Sequence, residues 1–276
     1  MSPLVEVQLI AWRELRKSVR SVKGLVLAAM TLAGGAGASM LFAWIDRLKR
    51  EALPDGVDVQ ALQQQMFTQL YGAETGQALA GCPHSLWMML MATLWLGPLL
   101  VALLGFDSIP SDLQHRTVRY WALRARRSSY VVGKFFGAWL VVLGVTLGMN
   151  VVVWAVTVVV ARLPAGDVLS WGVRFFAVSI PISAAWCGIA TLVGSTIKTP
   201  FFALLAICAT FCGLWLVWVV SHLADIPALS YVYPNSYGPF FLSPRPTETA
   251  RGLVGTCAIA VLTAGAAALL FERKDL

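Results

Sequence analysis

Long apolar runs alternate with short polar intervals along this chain, and six of the runs are long enough to cross a bilayer. A hydrocarbon core of about 30 Å needs about 20 consecutive apolar residues in a helix. The pattern predicts spans at Gly24–Ile45, Leu86–Phe106, Phe135–Ala161, Trp171–Thr196, Phe201–Leu223 and Gly252–Phe271. The longest of these leave room for tilt. Basic residues from Arg13 to Lys23 precede the first run, as they would a secretory signal. Signal cores are only about 7–15 residues long, so this longer run is expected to stay as a span.

The intervals have patterns of their own. Val5, Leu9, Trp12, Leu15 and Val19 recur every three or four positions, with Arg13, Arg16, Lys17 and Arg20 on the other side. That periodicity predicts an amphipathic interface helix, apolar side toward lipid, marked by Trp12, Arg13, Glu14 and Arg16. In the 107–134 loop, Pro110 is expected to end the second span. Ser111 and Gln114 have capping-box spacing and predict a short helix over 111–127. It would carry Arg116, Arg119, Arg124, Arg126 and Arg127, with Tyr120 and Trp121 between them. Such a helix rests on lipid or seats in a partner's groove.

Residues 46–85 are mixed in charge, with a glutamine run at Gln63–Gln65 that is compatible with a helix. Residues 222–250 interleave Pro227, Pro234, Pro239, Pro244 and Pro246 with Tyr231, Tyr233, Tyr237, Phe240 and Phe241. That stretch is too broken to span, and its aromatics suit an interface belt. A partly inserted, re-entrant segment between the fifth and sixth spans is expected.

Composition agrees with the pattern. Hydrophobic residues make up 58% and charged residues 13%, with a mean hydropathy of +0.72. Soluble domains run near 45–50% apolar and about 25% charged, so a soluble fold is excluded, and disorder with it. The net charge is +7. Six spans place both termini on one side. With the termini, the 107–134 loop and the 197–200 turn inside, that face holds fourteen Lys and Arg and six Asp and Glu, against seven and eight outside. The faces carry +8 and −1, so both termini are predicted to be cytoplasmic. Because this asymmetry already accounts for the arginines, no nucleic-acid partner is expected. Cys82, Cys187, Cys208, Cys212 and Cys257 are odd in number and four lie in apolar runs, which suits packing side chains better than disulfides.

Several motifs together resemble the ABC-2 family of ATP-binding-cassette transporter permeases. Leu9–Arg20, LIAWRELRKSVR, is similar to the family's N-terminal interface helix. Asp107–Phe135, DSIPSDLQHRTVRYWALRARRSSYVVGKF, is similar to its progression of an acidic residue, threonine, arginine-serine and Gly-Lys. Asp112, Thr117, Arg127, Ser128, Gly133 and Lys134 occupy those places, and FERKDL looks like the family's cytoplasmic tail. There are departures: Arg116 stands where a glycine commonly precedes the threonine, and the proline before arginine-serine is missing, with Ala125 nearby.

The resemblance implies a single all-α transmembrane domain over residues 1–276, acting as a permease subunit, most simply of an exporter. It would sit in a bacterial cytoplasmic membrane as a homodimer or a heterodimer with a related permease. A separate ATP-binding-cassette ATPase would hold the ATP and Mg; this chain is expected to carry no cofactor and to be no enzyme. Its own sequence has no G-x-x-x-x-G-K-[ST] loop, since Gly133-Lys134 lacks the preceding glycine and opens a span. The coupling helix between spans two and three would use Asp112, Arg116, Thr117, Arg119, Tyr120 and Arg127. The alternative is a membrane scaffold of an envelope or motility machine, powered by the same kind of ATPase without moving a solute.

Other candidates are weaker. Asp107 and Arg174 sit at span ends. Asn150 lies inside the third span, suited to helix packing or to a translocation pathway. Gly34, Gly35, Gly37, Ala38 and Ser39 allow close helix approach, within one subunit or across a dimer. Cys82, His84 and Met88 offer soft ligands suited to copper, without a complete ligand set. Cys208 and Cys212 share a helical face but lack a third ligand. His84, His115 and His222 fall on different sides of the topology, so no nucleophile–base arrangement emerges. A largely uncharged interior fits lipids, drugs or a polymer alike.

Overall fold

The computed structural model describes residues 2–52, 59–117 and 125–273, with backbone alone at positions 46, 47, 49–52, 59 and 60. Among the described residues the fold is all-helical, and six helices are long and apolar enough to cross a membrane.

Helix α1 covers Pro3–Arg20, and α2, the first span, covers Val22–Ala52. The short helices α3 (Val59–Tyr71) and α4 (Ala73–Leu79) are separated by Gly72, whose φ of 85° makes the tight turn that only glycine adopts at low cost. The glutamine run thus lies in a helix. Next come α5 (His84–Gly105), the five-residue α6 (Pro110–Gln114), α7 (Arg127–Ala161) and α8 (Ala165–Thr196). Helix α9 spans Pro200–Leu223, and α10 (Pro227–Ser230), a 3-10 turn (Pro234–Tyr237) and α11 (Gly238–Leu242) lead into α12 (Pro246–Glu272).

Helix α8 is the axis of the bundle. Over its most apolar stretch 67% of residues are buried, against 11% for α2 and 17% for α9. Helix α12 lies along α8 through small residues. A Cβ placed on Gly188 would meet Thr263 Oγ1 and, at 3.0 Å, the Ala260 carbonyl. Lipid tails are as apolar as these helices, so close backbone approach, rather than water exclusion, holds such pairs together. The α2 glycines divide by face. Gly35 abuts Met149 of α7, whereas Gly34 and Gly37 face open space.

The 107–134 loop differs from its sequence pattern. Helix α5 already ends at Gly105, and Pro110 opens α6 at its first position, where a missing N–H is harmless. The Ser111–Gln114 capping box does not form, because Ile109 is the residue at the N-cap. Nor does the helix run on from 111 to 127. It stops at Gln114, and Arg116 is left-handed at φ 57°. Residues 118–124, with Arg119 and Tyr120, lie outside the described residues.

Candidate functional site

The acidic residues of α1 determine how it sits. Val5, Leu9, Trp12 and Val19 are exposed, forming an outward apolar stripe, while Glu6, Ile10, Ala11 and Glu14 are buried against α7. Two glycines one turn apart permit this contact. A Cβ on Gly133 would lie 2.7 Å from the Ile10 Cβ, and one on Gly137 would lie 2.6 Å from the Glu14 Cβ. The G-K-F-F-G spacing at 133–137 was a legible close-approach signal that the sequence reading passed over.

On the same face of α7, between those glycines, Lys134 is only 5% exposed. Its Nζ lies 2.7 Å from Glu14 Oε2 of α1, 2.8 Å from Asp112 Oδ2 of α6, and donates to the Ser108 carbonyl at 2.8 Å. All three ammonium protons therefore have acceptors, which a buried lysine requires. Asp112 also accepts from the Tyr130 hydroxyl at 2.6 Å and from Thr117 Oγ1 at 3.1 Å. Tyr130 in turn stacks on Phe271 near the end of α12, with ring centroids 5.6 Å apart. One cation thus ties the N-terminal helix, the α5–α7 connection and the third span into a single body, with the last span stacked beneath.

Neighbouring contacts reinforce it. Helix α7 has no side-chain cap of its own, and Glu6 Oε2 supplies one from α1 by accepting the Arg126 N–H at 3.2 Å. That hydrogen bond, at the positive end of the α7 dipole, holds the Glu6 carboxyl below the usual range. Arg127 donates to the Glu272 carbonyl at 3.0 Å, fastening α12 to the start of α7. Lys23 pairs with Asp107 at 2.8 Å and lies 3.9 Å above the Phe106 ring.

The structure brings together Glu14, Asp112 and Thr117 from the two predicted groups, through Lys134 and Tyr130, which the sequence left outside its site. Arg16 lies over the Trp12 ring at 5.2 Å, and the charge of Arg13 acts on the Tyr130 hydroxyl of the cluster. Asn150 is buried and donates to the Thr146 carbonyl of its own helix at 2.9 Å. Cys82 donates to the Pro83 carbonyl, and burial pushes its thiol up to about 12. Among the described residues no three His, Cys, Asp or Glu side chains converge on a metal-sized site.

At the opposite end of the bundle the 224–245 segment is anchored deep among the helices. Pro98 inside α5 has no N–H, which leaves the Leu94 carbonyl without its helical donor. Asn235 Nδ2 donates to that carbonyl at 2.6 Å, while its Oδ1 accepts from the Trp186 indole at 2.9 Å. Arg174 of α8 donates to the Leu242 carbonyl at the end of α11 at 3.0 Å. Arg174 is therefore a tether of this segment as well as a residue near a span end.

Comparison with known proteins bears on the whole chain. Among curated proteins the chain has no match. The family model described as ABC-2 family transporter protein matches residues 8–266, from inside α1 almost to the end of α12. This multi-pass membrane protein belongs to the ABC-2 transporter family.

Proposed function

We propose that the chain is the permease subunit of an ABC-2 exporter, driven by a separate ATP-binding-cassette ATPase that binds ATP and Mg. The observation that carries this reading is the buried Lys134 clamp on Glu14 and Asp112. A push on the 107–126 connection moves α1 and α7 with it, because none of the three can shift without separating buried charges. An ATPase whose grip on that connection differs between its open and closed forms then biases the two arrangements of the permease. Family membership supports the expectation of the ATPase, and the charge asymmetry supports a cytoplasmic position for this end, in what we take to be a bacterial inner membrane. The permease works as a dimer with itself or a related chain.

The coupling surface centres on the arginines that follow α6. Arg127 also holds the Glu272 carbonyl, so Arg119 is the cleaner probe. Co-expression with the ATP-binding-cassette ATPase of the same genome is expected to give a stable complex. Arg119→Glu should weaken that complex while leaving membrane insertion intact. Undiminished co-purification of the variant would overturn the coupling assignment. ATP-dependent movement of lipid or drug probes into reconstituted vesicles tests export; binding to envelope machinery with no movement would instead make the protein a scaffold.

A further inference from the structure

A cavity of about 340 Å³ opens at the end of the bundle opposite the charged hub, between α5, the end of α9 and the 224–245 segment. Its walls are aromatic. Tyr71, Trp95, Trp218, Tyr231, Tyr233 and Phe240 all line it. Trp218 is the node: its ring meets Trp95 edge-on at 6.2 Å, Tyr233 at 5.8 Å and His222 at 4.5 Å. Tyr231 and Phe240 form a second group with centroids 6.2 Å apart. Among the described residues lining the cavity there is no lysine, arginine, aspartate or glutamate. Its backbone is held open by the Asn235 bonds to Leu94 and Trp186, so the rings are positioned by fixed elements. In the wall, Ser236 Oγ is buried and has no hydrogen-bond partner among the described atoms.

These features select a ligand class. An anion finds no positive side chain here. A primary ammonium brings three N–H donors and a tight hydration shell, and no carboxylate offsets their loss. A quaternary ammonium has no N–H to satisfy and sheds water readily, and its charge is spread over methyl groups that suit the negative faces of tryptophan and tyrosine. We infer that this cavity is a binding site for a bulky quaternary ammonium group. The site stands apart from ATPase coupling and is testable without any ATPase.

The probe pair is benzyltrimethylammonium and its uncharged carbon isostere, neopentylbenzene, titrated by calorimetry into the purified full chain in phosphatidylglycerol nanodiscs. The cation is expected to bind saturably and about tenfold more tightly than the isostere, the scale of a desolvated cation–π contact. Trp218→Leu should weaken it by about the same factor. Trp95 is half exposed, so Trp95→Leu removes a wall of the cavity without opening the core and serves if Trp218→Leu fails to fold. Repeating the titration with phosphatidylcholine in the nanodiscs identifies the source: competition assigns the site to a lipid headgroup, and unchanged affinity to a free cation. Equal binding of the two probes, absence of saturable binding, or full affinity in a folded Trp95→Leu or Trp218→Leu variant would overturn the assignment.

Discussion

The side-chain amide of Asn235 donates at 2.6 Å to the carbonyl of Leu94, which lies 141 residues earlier and is the one carbonyl of α5 that Pro98 deprives of its donor. Leu94 stands ten residues into α5, about 15 Å from its start at 1.5 Å per residue. The 224–245 segment therefore reaches well into the bundle, and the carbonyl that Pro98 leaves without a donor becomes its docking point.

Asn235→Leu removes the donor and leaves both Leu94 and the Trp186 indole without a partner. A loss of about 1–3 kcal/mol is expected, with faster hydrogen exchange across 224–245 than in the native chain. Pro98→Ala restores the missing N–H in α5. The double variant should therefore lose less than the sum of the two single losses. Strict additivity in that cycle would show that the bond to Asn235 does not depend on the proline.

Lys134→Met leaves Glu14 and Asp112 facing each other with no cation between them. Removing one partner of a buried pair costs about 3–5 kcal/mol, read as a fall in the thermal midpoint of the detergent-solubilised protein. Adding Glu14→Gln and Asp112→Asn to Lys134→Met should recover much of that loss. A triple variant no more stable than Lys134→Met would mean that the lysine acts through packing rather than charge.

Arg116 sits just beyond α6 in the left-handed region at φ 57°. The Cβ of a non-glycine residue costs roughly 1 kcal/mol there. Arg116→Gly is expected to raise stability slightly, or to leave it level if the gain in unfolded-chain entropy offsets the relief. A clear drop in thermal midpoint would instead mean that the arginine side chain holds the turn.

Glu6 bears on pH. Its carboxyl is held low by the Arg126 N–H, so its folded value lies below its unfolded one. The stabilisation is full above the ordinary glutamate range and is lost as pH falls through the lowered folded value. The difference in thermal midpoint between the native chain and Glu6→Gln should be constant near neutrality and shrink on acidification. A difference that grows toward acid pH would contradict the sign.

The six spans were legible because a bilayer makes one demand, a run of apolar residues of fixed length, and Gly24–Ile45 or Phe201–Leu223 meets it in any context. The helical pattern of residues 4–20 was legible for a similar reason, since a period of 3.6 is local. Its packing was not. The apolar stripe of Val5, Leu9 and Trp12 is exposed, as a lipid-facing side would be, but the opposite face, Glu6, Ile10, Ala11 and Glu14, docks on α7, and no hydrophobic pattern marks it. The short helix after α5 was misread because Pro110, Ser111 and Gln114 suit two registers, and only the backbone at Ile109 and Arg116 decides between them.

By itself, then, the sequence determined that this is a membrane protein with six spans, how its positive charge divides among the segments between them, and that its motifs resemble those of one permease family. All of these are properties of composition, local period and short spacing. The tertiary structure alone decided that Lys134 would find Glu14 across 120 residues and that Asn235 would find Leu94 across 141. Both are single polar contacts among apolar helices, and they exist because a buried charge or an orphaned carbonyl must be satisfied by whatever donor or acceptor the packing brings near. Chain order carries no trace of that requirement.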